Sequence, residues 1–278
     1  MSLRTLVSAQ ELHELAAQGG VLIVDCRADL ADKTRAARDY AQAHIPGAVF
    51  ADVETDLSDL SKTRLGRHPL PDAAAFAALL GRWGWNPGTP VVAYDDANGA
   101  LAAARLWWML RLVGGREAAV LDGGLGAWKA AGLPLDSGVV ARAPTHVDVA
   151  FDPKQIVYTE QLLGDPRILL LDARAAPRFR GEVEPIDPVA GHIPGARNRP
   201  FSENLDADGR YKAAEQLRAE YAALLGSLAP ADVVHMCGSG VTACHNLLAM
   251  EHAGLAGSRI YAPSWSGYIA DRSRPVER

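Results

Sequence analysis

Cysteine is scarce in this chain. Only Cys26, Cys237 and Cys244 occur among 278 residues, and none stands at a C-x-x-C or Cys/His ligand spacing. That excludes a disulfide framework and a zinc site, and it points to reduced thiols in a cytoplasmic setting. Basic residues are outnumbered, 28 Lys and Arg against 33 Asp and Glu for a net charge of −5, and no basic run appears. A nucleic-acid binder needs a cationic face for phosphate contacts, so that class is excluded as a partner. No apolar run approaches membrane-span length, which excludes a spanning helix. Glu11 and Glu14 interrupt the N-terminal region where a signal peptide would need unbroken apolar sequence; Ser8 followed by Glu11 reads instead as a helix start. No cofactor fingerprint is present either. The glycines of "LDGGLGAW" follow an apolar run, but their spacing fails both phosphate-loop patterns, and a turn accounts for them.

What the chain does contain, it contains twice. "VLIVDCR", "HIPGAVF", "PVVAYDDANGALAAARLWWMLRLVGG" and "AAVLDGGLGAW" recur in the same order as "ILLLDAR", "GHIPGAR", "DVVHMCGSGVTACHNLLAMEHAGL" and "RIYAPSWSGY". Asp25 pairs with Asp172, His44 with His192 and Gly114 with Gly254, so the chain is a tandem duplication. The proline-containing stretch 137–153 has little helical period and reads as an extended linker, dividing the chain into domains 1–136 and 154–278. In each half, short apolar runs alternate with helical patterns. "VLIVD", "VVAYD", "AAVLD", "ILLLD", "VVHMC" and "SRIYA" read as strands buried on both faces, and "QELHELAAQ", "DAAAFAALLGRWG", "AARLWWMLRLVG" and "EQLRAEYAALLG" as helices. The fold class is therefore α/β, each half a mostly parallel sheet with helices on both faces. The Trp107–Trp108 pair lies in an apolar helix and reads as core.

Ligands of such sheets bind beyond the carboxyl ends of the strands, and Cys237 stands at one of those ends. Only "GSGV" separates it from a helix beginning near Thr242 or Ala243. A short loop rich in glycine turns its backbone N–H groups inward and forms an anion nest, which together with the helix dipole favours a thiolate. Ser239 and Thr242 add hydroxyls to bond sulfur or substrate, or to cap the helix. The first half has Asp95 at the matching place, on a loop about two residues longer, so one domain is expected to be catalytic and the other inactive. Cys26 matches Ala173 in the repeat and, like Cys244, reads as a packing residue.

These blocks, with the "WWM" helix, "LDGGLGAW", "CGSGVTACH" and "SWSGY", resemble the rhodanese-like sulfurtransferases in their two-domain form, over nearly the whole chain. Within that family "CGSGVTA" is similar to the loop of 3-mercaptopyruvate sulfurtransferases; thiosulfate-specific members carry basic residues directly after the cysteine. The resemblance implies a tandem of rhodanese-like domains and a Cys237 persulfide. It also implies a small-molecule sulfur donor, and a thiophilic acceptor such as cyanide, a thiol or thioredoxin. Cys237 and Ser239 are then the catalytic pair, Ser239 relaying a proton to the departing enolate. Gly238, Gly240, Val241 and Thr242 line the substrate. Arg178 matches a family arginine that grips the substrate carboxylate, its alternative being a surface pairing with Glu182 or Glu184. His44 is placed to reach the site from the first domain, although His192 at the same place in the repeat fits a histidine that fastens a turn. His235 and His245 flank the cysteine on strand and helix.

Two departures stand out. Ile186 occupies the place of a second arginine, leaving half of a carboxylate clamp to be supplied by Arg180 or Arg197, and Gly267 replaces an acid after "SWS". The other donor the family admits is thiosulfate, a dianion that a neutral Gly-Ser-Gly loop suits less well than a monoanionic keto acid. A cysteine phosphatase would need an arginine where this chain has Ala243. A non-catalytic sulfur-binding module would lack the thiol. A monomer is expected, because duplication lets one chain supply an interface that single-domain relatives make by dimerising.

Overall fold

The computed structural model describes residue 3, residues 5–29 and residues 31–278. The chain divides into two compact units. Unit 1 runs to Asp59, resumes over Pro71–Asp152 and takes in Asp208–Arg210; unit 2 comprises Leu60–Leu70, Pro153–Ala207 and Tyr211–Arg278. This division departs from a simple cut at the linker in three ways. A first-half segment, Leu60–Leu70, belongs to unit 2, a second-half segment, Asp208–Arg210, belongs to unit 1, and so does the stretch after Asp136. That stretch has no helix or strand, but it is docked: Gly138 N donates to Ala41 O (2.8 Å), Thr145 N to Gly81 O (2.9 Å) and Asp152 N to Leu112 O (2.8 Å).

Unit 1 holds strands β1 (Leu6–Val7), β2 (Leu22–Asp25), β3 (Val49–Phe50), β4 (Val91–Tyr94) and β5 (Ala118–Leu121). Its helices are α1 (Ala9–Gln18), α2 (Arg35–Gln42), α3 (Ala73–Arg82), α4 (Ala103–Leu112) and α5 (Gly124–Ala130). Unit 2 repeats the scheme with β6 (Ile156–Val157), β7 (Leu169–Asp172), β8 (Arg197–Asn198), β9 (Val233–Met236) and β10 (Arg259–Tyr261). Its helices are α6 (Thr159–Gly164), α7 (Ala176–Phe179), α8 (Ala214–Leu225), α9 (Ala243–His252) and α10 (Ser264–Tyr268). The sheet orders are β1-β5-β4-β2-β3 and β6-β10-β9-β7-β8, with every pair parallel.

The six apolar runs read as strands form the inner strands. All residues of β2, β4, β5, β7 and β9 are buried, as a sheet covered on both faces requires. The outer strands β1, β3, β6 and β8 are only two residues long, too short to show a period. Ser8 caps α1 as expected: its hydroxyl accepts from Glu11 N (3.2 Å), and the Glu11 carboxylate accepts from Ser8 N (2.9 Å). Trp107 and Trp108 are buried. Among the described residues, no helix is long and apolar enough to cross a membrane.

Both units place their functional loop after the central strand, β4 in unit 1 and β9 in unit 2. In unit 1 this loop closes around Asp95. Its carboxylate accepts from the backbone N–H groups of Ala97 (2.9 Å), Gly99 (2.8 Å), Leu101, Ala102 and Ala103 (3.2 Å each). The anion nest of unit 1 is thus intact and filled by the side chain of its own strand end. Complete burial pushes the Asp95 carboxyl above its ordinary value, and the loop amides pull it back.

Candidate active site

β9 ends at Met236, so Cys237 is the first residue beyond the central strand of unit 2, and α9 starts at Ala243. The thiol is 3% exposed. Gly240 adopts a left-handed φ of 82°, which a side chain would resist, and this turn aims the Gly240 N–H at Cys237 Sγ (3.2 Å). Gly238, Ser239, Gly240 and Val241 are buried in the same loop, with Thr242 half-buried at its end. The Thr242 side chain does not cap α9; its carbonyl accepts from His245 N (3.1 Å).

The first turn of α10 pins this loop from the other side. Trp265 N donates to Cys237 O (3.0 Å), Ser266 N to Gly238 O (2.9 Å) and Cys237 N to Ser264 Oγ (3.2 Å). Ser264 has a left-handed φ of 53°, unusual for a residue with a Cβ, and in the repeat that place is Gly124, φ 56°. Unit 1 relieves the conformation with glycine, whereas unit 2 keeps a serine whose Oγ accepts from the Cys237 amide and donates to Tyr261 O (3.0 Å). Strain of this kind collects at functional sites.

Ser239 Oγ lies 2.8 Å from His68 Nδ1, both groups buried; the imidazole tautomer decides which atom donates. His68 comes from the Leu60–Leu70 segment, and so does Arg67. Two close backbone approaches seat that segment. A Cβ on Gly267 would stand 3.1 Å from Gly66 N and 3.2 Å from Leu65 C, and one on Gly66 would stand 2.6 Å from Pro263 O. A Cβ on Gly267 would also stand 2.5 Å from Pro263 Cβ, so its own turn and the crossing segment together leave no room for a side chain there. Arg67 N then donates to Ser266 Oγ (3.0 Å).

Arg178, at the end of the α7 turn, faces the same loop. It also makes the pairing that was its alternative: Nη2 lies 2.7 Å from Glu184 Oε1 and 3.1 Å from Asp187 Oδ2. These contacts belong to an alternating chain of charge: Asp172 to Arg174 (2.7 Å), Arg174 to Glu184 (3.5 Å), Glu184 to Arg178, Arg178 to Asp187, and Asp187 to Arg67. Burial would raise the Glu184 carboxyl, but hydrogen bonds from Arg178 and from the amides of Asp187 and Ile186 outweigh it and hold it below its ordinary value.

His44 is buried in unit 1. Its Nδ1 is 2.8 Å from Tyr40 O, its ring stacks on Tyr40 (4.4 Å), and its backbone bridges Asp136. His192 repeats each feature, with Nδ1 2.9 Å from Phe179 O, a stack on Phe179 (3.8 Å) and a bridge to Glu277. The two fasten equivalent turns. The histidine that meets the loop is His68. His235 is a buried strand residue 3.2 Å from Ser258 Oγ, and desolvation lowers its pKa to about 3, so it is neutral. His245 stacks on Tyr211 (4.4 Å) beneath the helix. Arg180 pairs with exposed Glu182 (2.7 Å), and Arg197 donates to Leu224 O (3.0 Å).

Sequence reasoning missed Arg67 and His68. Their signal was the long irregular connection between Phe50 and Ala73, since loops of that length in compact domains are commonly functional.

A buried thiol at the end of a central parallel strand, nested by a glycine loop and present in only one of two repeats, defines a class. The family model described as "Rhodanese-like domain" matches residues 8–131 and again 157–271, so the chain belongs to the rhodanese-like family as a tandem of two such domains. Its chemistry is sulfur transfer. It is 50% identical to a probable 3-mercaptopyruvate sulfurtransferase of Pseudomonas aeruginosa, over 99% of both chains. The human 3-mercaptopyruvate sulfurtransferase is 39% identical over 87% of this chain and 82% of its own. Among solved structures, the 3-mercaptopyruvate sulfurtransferase of Leishmania major superposes with a TM-score of 0.87 at 35% identity, covering 97% of this chain and 75% of that one.

Proposed function

We propose that the enzyme takes sulfur from 3-mercaptopyruvate, carries it as a persulfide on Cys237 and passes it to a thiol acceptor. The observation that carries this reading is the pairing of Cys237, nested by the Gly240 amide, with a Ser239–His68 couple two residues along the loop. Transfer from a mercapto keto acid needs both parts. The Cys237 thiolate attacks the donor sulfur, the C–S bond breaks, and its electron pair leaves on C3 as the pyruvate enolate. The thiol hydrogen stays on the transferred sulfur. The enolate carbon takes a proton through Ser239 Oγ, with His68 Nδ1 resupplying that hydroxyl, and pyruvate departs. An acceptor thiolate, on a small thiol or a thioredoxin-type protein, then attacks the outer sulfur and returns Cys237 as thiolate. Splitting one transfer into two steps is covalent catalysis, and the nest holds an anionic sulfur in each.

Gly238 and Gly240 bring no charge to the loop, and the ion network beside it balances three carboxylates against three guanidiniums. A neutral surrounding of this kind suits a monoanion better than the thiosulfate dianion. All three cysteines are buried thiols, which supports a reducing, cytoplasmic setting.

Catalytic efficiency with 3-mercaptopyruvate is expected to exceed that with thiosulfate under the same acceptor. A side-by-side rate comparison decides this, and a preference for thiosulfate would reverse the donor. His68→Ala is expected to lower kcat by roughly 10²–10³-fold with 3-mercaptopyruvate, the usual worth of a positioned proton-transfer group. The same variant should still accept sulfur from a donor whose leaving group needs no proton. An equal loss with both donors would refute the relay.

A further inference from the structure

Unit 2 carries a 390 Å³ cleft lined by Arg64, Ile186, Pro188, Ile269 and Arg272, with Ser266 on its wall. Ser266 connects the cleft to the thiol loop, because its N–H donates to Gly238 O (2.9 Å). Ile186, Pro188 and Ile269 make the lining apolar, and Ile186 is 46% exposed there. The charge lies at the open edge. Arg67, also in the cleft, is bonded to Asp187. Arg64 and Arg272 are exposed, and among the described residues neither guanidinium makes an ion pair or a hydrogen bond. Asp271, the acid that the Arg64 charge reaches, is taken up by Ser273 (2.7 Å) and Arg274 (3.6 Å). Arg64 also holds φ at 67°, a left-handed conformation that glycine or asparagine adopts at less cost. What arginine adds at that position is its guanidinium.

We propose that this cleft is the acceptor subsite and takes a small thiol bearing two carboxylates, with Arg64 and Arg272 as its anion-binding edge. The proposal rests on the reading of Cys237 as the carrier of a persulfide. Three observations favour that occupant. A donor with one carboxylate does not account for two further unpaired cations, whereas a dicarboxylate acceptor does. The cleft volume lies in the range of small-molecule sites. The chain carries a net charge of −5, so a cationic edge is a local exception that draws anions toward the loop. In the step itself the acceptor thiol ionises, its proton passing to solvent, and the thiolate attacks the outer sulfur of the persulfide. A new S–S bond forms, the bond to Cys237 Sγ breaks, and its electron pair returns to Sγ as thiolate. The acceptor leaves as a persulfide. Donor and acceptor use the site in turn, since pyruvate departs before the acceptor enters.

The test loads the enzyme with sulfur from 3-mercaptopyruvate and follows its discharge by two thiols, glutathione with two carboxylates and 2-mercaptoethanol with none. In the wild type, raising salt from about 0.02 to about 0.3 M should slow discharge by glutathione several-fold and leave the neutral thiol unaffected. In Arg64→Asn/Arg272→Gln, the ratio of the glutathione rate to the 2-mercaptoethanol rate is expected to fall about 5- to 30-fold, the worth of two partly exposed charged hydrogen bonds. Asparagine tolerates the φ at position 64, so the backbone there is not put at risk. Arg272→Gln alone should lower the ratio about 2- to 5-fold, and this arm stands if the double variant fails to fold. An unchanged ratio, or a loss shared equally by both thiols, overturns the proposal. So does a loss confined to discharge by thioredoxin, which would make the edge a protein-docking surface. If the wild type takes up no sulfur, the Cys237 reading fails instead. Calorimetric affinity for S-methylglutathione then still reports on the cleft, and equal affinity in wild type and double variant overturns the proposal.

Discussion

Cys237→Ser is expected to abolish sulfur transfer, with a loss of at least about 10⁴-fold, the scale seen when an enzyme's covalent nucleophile is removed. Serine fits the space and can keep the hydrogen bond from Gly240, but its oxygen cannot carry a sulfane sulfur, so the two-step route closes at its first step. Incubation with donor alone should add the mass of one sulfur atom to the wild-type chain and nothing to the variant. Cys26→Ser is the matched control. Cys26 is fully buried, and burial first, then the charges of Asp25, Asp95 and Asp56, push its thiol well above the ordinary value, so it stays neutral and unreactive. Its variant should form the persulfide and turn over. Persulfide on Cys237→Ser would sink the assignment.

Asp95→Ala carries the second large effect, this time on stability. The Asp95 carboxylate is the acceptor for five loop amides in the buried heart of unit 1. Truncation orphans them together, and a buried donor left unsatisfied costs about 1–3 kcal/mol. Water entering the gap offsets part of that, so a loss of at least about 3 kcal/mol is expected, read as a lower urea midpoint. Asp95→Asn, which keeps one carbonyl acceptor, should fall between wild type and alanine. A loss below about 1 kcal/mol for alanine would show that these amides find other partners.

The two variants are complementary because the two loops are one design used twice. The strand end of unit 1 carries a carboxylate that fills its nest permanently. The strand end of unit 2 carries a thiol on a loop two residues shorter, as the helix starts Ala103 and Ala243 place it, and there the Gly240 N–H points at the thiol sulfur. The paired histidines are held alike in the two units. His44 and His192 make the same carbonyl bond, ring stack and bridge in both units, the arrangement of a histidine that fastens a turn.

The sequence by itself determined the duplication, the α/β class, the inner strands, the helix that starts just past Thr242, and Cys237 as the one thiol in a cradle. All of these are written in residues that are neighbours along the chain: apolar runs, a helical period, a glycine loop between strand and helix. Only the tertiary structure decided which groups surround the thiol. His68 meets Ser239 across 171 residues of chain, and Arg67 bonds Ser266 across 199. Those contacts depend on a segment of the first repeat seating on the second through the Gly66–Gly267 approach. No local pattern encodes such a meeting, because a close backbone contact is a property of two surfaces and appears in the sequence only as two glycines far apart.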